Sequence, residues 1–172
     1  MKILDLKKVT IILVTMLLFL SMQISVFASY NCTVVKIPVK QLFDSEVESV
    51  ADEFSYIMTT DQSDAPMPAG SRNKQYSWTM EKNAATEITL NVKTAGQYHY
   101  TLCQTTEKKD NYKYDQNKYH VTVEAYYNES NQLKVVTIVA NEKGEKIETI
   151  SFKNSYICLL YTSDAADDRI SV

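Results

Sequence analysis

Between Ser29 and Ile157 the chain repeatedly sets apolar residues two apart with polar residues between them, and that period constrains the fold more than any other feature. Phe54, Tyr56 and Met58 fall on one side of an extended segment. So do Tyr76, Trp78 and Met80; Ile88, Leu90 and Val92; Tyr98, Tyr100 and Leu102. Further along come Tyr119, Val121, Val123 and Ala125, then Val135, Thr137 and Val139, and finally Ile150 with Phe152. A period of two is that of a strand with one buried face, and β-branched and aromatic residues dominate these runs. Turn residues separate them: Pro66, Pro68 and Gly70 after the Met58 run, Ala95 and Gly96 before Tyr98, and Asn141 to Gly144 before the last. The short acidic piece Ser45 to Glu53 reads as a loop or a single turn. The expectation is an all-β, antiparallel sandwich of about seven to eight strands.

The two ends of the chain stand apart from this pattern. Lys2, Lys7 and Lys8 precede an apolar run from Val9 to Phe19, and Ala28 closes a plausible cleavage site after Val26 and Phe27. Residues 1–28 therefore read as a secretory signal peptide rather than a spanning helix, whose apolar core is longer. Residues 158–172 lose the alternation and end in Asp164, Asp167 and Asp168. This string resembles translated sequencing-adapter read-through, so it is expected to be a non-native or disordered tail with the native C-terminus missing. The folded domain is then 29–157.

Composition narrows function by exclusion. A net charge of −3 supplies no electrostatic footprint for nucleic acid. No nucleophile elbow, zinc-protease helix or glycine-rich phosphate loop is present, which argues against an enzyme and against a cofactor. His99 and His120 lie in separate strand runs without ligand spacing, so no metal is expected. Export permits disulfides, but of the three cysteines Cys158 lies in the tail, leaving Cys32 and Cys103. Trp78 and most tyrosines sit on the apolar side of the alternation, as core residues do. Tyr112, Tyr126 and Tyr127 are the candidates for exposure and for a carbohydrate-binding alternative.

Several strings carry a family resemblance. They are Ile37 to Leu42, Ala65 to Pro68, Tyr98 to Gln104 after its Ala-Gly turn, Tyr114-Asp115 with the following Tyr119, Val121 and Val123, and Phe152 to Tyr156. In this order they resemble the pilin isopeptide linkage domain family of Gram-positive surface proteins, across nearly the whole exported domain. The resemblance implies an immunoglobulin-like sandwich in a pilus shaft or adhesin stalk, often closed by a covalent Lys to Asn bond. Such a bond needs a buried, deprotonated lysine as nucleophile and a neutral carboxylic acid to relay protons while ammonia leaves. The resemblance also implies that Cys32 and Cys103 are too far apart to bond, because Cys103 adjoins the centre while Cys32 precedes Lys40 by about 26 Å of extended chain.

Carried over residue by residue, the acceptor position falls on Asn154 and the acid position on Gln104. The lysine position is ambiguous by one residue. Lys40 fills it by eye, but if Ile37 and Val39 face inward then so does Gln41, and Lys40 faces out. The isopeptide-site equivalents are accordingly Gln41, Gln104 and Asn154, expected to form a buried hydrogen-bonded cluster, with Lys40 as the alternative lysine. On that alternative, Glu87 or Glu107 would replace the absent acid. The expected role is a non-enzymatic structural module, secreted or on the cell surface and wall-anchored in the full-length protein, whose partners are other pilin or surface-protein domains and an unknown host or glycan ligand.

Because 158–172 offers neither a strand pattern nor an apolar face, a chain ending at Ile157 should melt within a degree or so of the full chain in a thermal scan. A drop of many degrees would assign the tail to the fold.

Overall fold

The computed structural model describes residues 32–45 and 53–157. The signal segment, the tail and most of the acidic piece between Ser45 and Glu53 lie outside the described residues. Ten strands follow in order: β1 (Thr33–Ser45), β2 (Glu53–Thr59), β3 (Gln75–Glu81), β4 (Ala84–Val92), β5 (Gly96–Gln104), β6 (Tyr112–Lys113), β7 (Lys118–Tyr127), β8 (Leu133–Ala140), β9 (Lys146–Ile147) and β10 (Ile150–Tyr156). Eight of them have seven residues or more; β6 and β9 are two-residue pieces that alternation cannot reveal.

The strands form two sheets, one ordered β4-β1-β10-β6 and the other β3-β2-β5-β7-β8-β9. Their inner faces share one core. Ile37 and Val39 from β1, Leu90 and Val92 from β4 and Ile150 and Phe152 from β10 meet Phe54, Tyr56 and Met58 of β2 and Leu102, Val121 and Val123 of β5 and β7. The described residues thus form an all-β sandwich. Strand pairing is antiparallel except at β1 and β10, which run parallel from Val39 opposite Ile150 to Ser45 opposite Tyr156. Parallel neighbours need a long connection, and here nearly the whole domain lies between the partners.

The inward runs are buried almost as the alternation requires. The exceptions are β8, where Thr137 is exposed and Val135 and Val139 are only partly covered while Leu133 at its start is buried, and β3, where Tyr76 and Trp78 are only partly covered. The six-stranded sheet is wider than the one it packs on, so a strand near its edge has less above it. Hairpins close on side chains as well as backbone. The Asn141 carboxamide oxygen accepts the amides of Lys143 and Glu145 at 2.9 and 3.0 Å, and Gly144 takes φ +79°, a conformation that costs a residue with a Cβ.

Phe152 is fully buried between Tyr56, at 4.7 Å between ring centroids, and Tyr119, at 5.1 Å edge to face. Phe152→Ala should therefore lower unfolding free energy by about 3–5 kcal/mol in a denaturant titration, since both rings lose their partner and the sheets hold the cavity open.

Candidate functional site

Strand parity places each candidate. Along β1, Val35, Ile37, Val39 and Gln41 point into the sandwich while Lys36, Pro38, Lys40 and Leu42 are exposed. Gln41 is 1% exposed although its side chain is polar, and Asn154 on neighbouring β10 is 3% exposed. Buried carboxamides must find partners, and these two find each other. The Asn154 Nδ2 donates to Gln41 Oε1 at 2.9 Å, and Gln41 Nε2 donates to the Leu42 carbonyl at 2.9 Å.

Two further residues complete the arrangement. The Tyr56 hydroxyl, reaching across from the opposite sheet, also donates to Gln41 Oε1. Burial pushes its pKa well above the ordinary tyrosine value; the Asn154 contact works against that rise and the Asp115 charge adds to it. The phenol therefore stays protonated and serves as a donor. Asp115, itself buried, donates its backbone N–H to Asn154 Oδ1 at 2.9 Å. Its carboxylate accepts the amides of Asn117 at 2.8 Å and Lys153 at 2.7 Å, so one residue orients the Asn154 carboxamide and ties down the backbone beside it.

Asp115 has a second structural effect. Among the described residues, the edge of β10 that faces away from β1 is paired only at Ser155 and Tyr156, by β6. Upstream, the Lys153 amide is taken by Asp115 and the Ser151 carbonyl accepts the Tyr119 hydroxyl at 2.7 Å. Side chains stand where another strand could pair.

Gln104 does not join the bonded pair. It lies on β5 directly opposite Tyr56, and its Nε2 donates to Thr106 Oγ1 at 3.0 Å. Its Oε1 is buried without a partner among the described residues, as is Trp78 Nε1 on the other side of Tyr56. The Tyr56 hydroxyl makes the contact to Gln41 expected of Gln104. Two signals for the missing members are visible in the sequence: a tyrosine in the middle of a fully buried run must spend its hydroxyl somewhere, and Tyr114-Asp115 is one of the family strings.

The alternatives fare differently. Lys40 is exposed, with Ala85 and Ser151 as its strand neighbours. Glu87 pairs with Lys36 at 2.7 Å on the outer surface, and Glu107 is exposed at the rim of an open groove of about 720 Å³ beside Trp78. Tyr126 and Tyr127 are exposed, but Tyr112 is half-buried against Phe43, Tyr114 and Tyr156. Exposed Cys32 and half-buried Cys103 are not joined in a disulfide, and burial raises the Cys103 thiol pKa against the opposing influence of Lys118.

The profile of a family described as FctA, a Spy0128-like isopeptide-containing domain, matches residues 37–157. Among solved structures the chain is similar to the major pilin from Streptococcus pyogenes, at 20% identity over 70% of this chain and 50% of that one, with a TM-score of 0.49. It is similar also to the T-13 major pilin protein of Streptococcus pyogenes, at 16% identity over 72% of this chain and 53% of that one, with a TM-score of 0.51. The chain thus spans about half the length of these structures, and at 16% identity the likeness to the T-13 protein speaks to the fold alone. No curated protein matches it.

The geometry separates the two registers by stability. Asn154→Ala removes a donor to Gln41 and the acceptor of the Asp115 amide inside the core, and should lower unfolding free energy by about 2–4 kcal/mol. Lys40→Ala, on the outer face, should change it by less than about 0.5 kcal/mol in the same urea titration.

Proposed function

This chain belongs to the FctA family of Spy0128-like isopeptide-containing domains, and from that premise we propose that it is a non-enzymatic, load-bearing module of a Gram-positive pilus or surface fibre that works without the covalent bond. Residues 1–28 direct export, 29–157 form the module, and 158–172 are not part of it. Its partners are neighbouring domains of the same fibre.

The observation that carries this reading is the parallel pairing of β1 with β10, pinned by the Gln41 to Asn154 hydrogen bond. Tension applied to the two ends of the domain pulls these strands past each other along their length. Their backbone bonds must then fail together, whereas strands pulled apart sideways lose them one at a time. Buried side-chain bonds at the same place resist the same sliding.

The chemistry at the site supports the absence of a crosslink. A lysine amine condenses with the Asn carboxamide, forming a C–N bond as ammonia departs. At the inward position stands Gln41, whose amide nitrogen has its lone pair delocalised into the carbonyl and is no nucleophile. The residue beside Tyr56 at the acid position is Gln104, which can hydrogen-bond but cannot relay a proton.

The purified domain should have an intact mass equal to its sequence, with no loss of ammonia. Stretched by its ends in a force experiment, it should unfold in one cooperative step and extend to the full length between the handles. Gln41→Lys combined with Gln104→Glu should introduce the ammonia loss at Asn154 and block that extension. Ammonia loss in the unaltered chain that disappears on Lys40→Ala would replace this reading with self-crosslinking through Lys40. Unfolding at negligible force would remove the load-bearing role.

A further inference from the structure

His99 and His120 are the only two histidines of the chain, and the fold brings them together. Strands β5 and β7 are antiparallel neighbours in which His99 is opposite Thr122 and Thr101 is opposite His120. The two imidazoles therefore occupy diagonal positions on one face, at roughly 7 Å between backbones, within reach of aromatic side chains. Both residues are exposed, on the side of the sheet away from the core.

Each ring is held in the same way. His99 Nδ1 lies 3.2 Å from Thr122 Oγ1, and His120 Nδ1 lies 3.4 Å from Thr101 Oγ1. A threonine hydroxyl can rotate to accept from Nδ1–H, and in that tautomer Nε2 carries the lone pair. A hydrogen bond at one ring nitrogen that orients the other toward an ion is the usual support of a metal-binding histidine. Here it occurs twice, related by the local two-fold symmetry of an antiparallel pair.

The rings open on a groove of about 450 Å³ whose far wall is the turn after β2, including Thr60, Asp61 and Gln62. That wall is anchored to the same strand: the His99 amide donates to Gln62 Oε1 at 2.7 Å, and Gln62 Nε2 donates to the Gln97 carbonyl at 2.9 Å. No set of three His, Cys, Asp or Glu capable of holding a metal occurs among the described residues, so the remaining coordination positions would be filled by water.

We infer that this groove binds a borderline divalent transition metal, Cu²⁺, Ni²⁺ or Zn²⁺, through His99 Nε2 and His120 Nε2. Imidazole ligands select these ions over Ca²⁺ and Mg²⁺, and the order of affinity puts Cu²⁺ first. The site is independent of the Gln41 and Asn154 pair.

Calorimetric titration of the untagged full chain with NiCl₂ should show one saturable site. His99→Gln and His120→Gln should each abolish it while leaving the metal-free melting temperature unchanged, as both residues are exposed. Thr101→Val with Thr122→Val should weaken binding about tenfold by releasing the rings. Sub-stoichiometric Cu²⁺ should broaden the NMR signals of both imidazoles. Absence of saturation by about 1 mM Ni²⁺, binding that survives the double histidine change, or binding lost on Cys32→Ser would each overturn the assignment.

Discussion

Two carboxamides buried in an apolar sandwich must satisfy one another, and much of the architecture around β1 and β10 follows from that requirement. A net hydrogen bond stabilises by about 1 kcal/mol, but a buried donor or acceptor left unpaired costs about 1–3 kcal/mol, so the penalty for misplacement exceeds the gain from formation. Gln41 and Asn154 are fixed by this asymmetry more than by attraction. Tyr56 closes the arrangement from the facing sheet and Asp115 closes it from the loop before β7. Each of the four residues holds another in position, and each lies on a different segment of the chain.

How much of this could be read from the residues divides along one physical line. Alternation with period two says which face of a strand a side chain takes, so the buried runs, the two-layer fold, the inward turn of Gln41 and the outward turn of Lys40 were all legible. It says nothing about which strand lies beside which. The parallel partnership of β1 and β10 and the meeting of His99 with His120 were hidden for that reason, the latter obscured by their placement in separate runs. Nor does alternation resolve which of two inward residues touches a third: Gln104 and Tyr56 are opposite one another, and the longer, rigid tyrosine reaches Gln41. Asp115 escaped because it stands in a loop, where no periodicity applies.

Sequence also conceals how the sheets end. The exposed edge of a strand is a template for unwanted pairing, and proteins blunt it with short strands, charge or covering side chains. Along β10 the two-residue β6 covers one part, and the Tyr119 hydroxyl and Asp115 carboxylate occupy backbone groups on the rest. The residue that orients Asn154 therefore also guards the strand that carries it. Loss of the Asp115 carboxylate would free the Lys153 amide on that edge, while the backbone N–H that holds Asn154 would remain.

The pairing of β1 with β10 joins residues as far apart as Gln41 and Asn154, 113 positions along the chain. Contacts so distant in sequence form late and slowly, because most of the chain must be ordered before they are rewarded. For a polypeptide that emerges from a ribosome or a translocation pore one end first, β1 appears early and finds β4 soon after, but its other edge stays open until the final strand arrives. Completion of this sheet is thereby coupled to completion of the domain: the parallel pair and the buried Gln41 to Asn154 bond form only once the last residues of β10 have arrived.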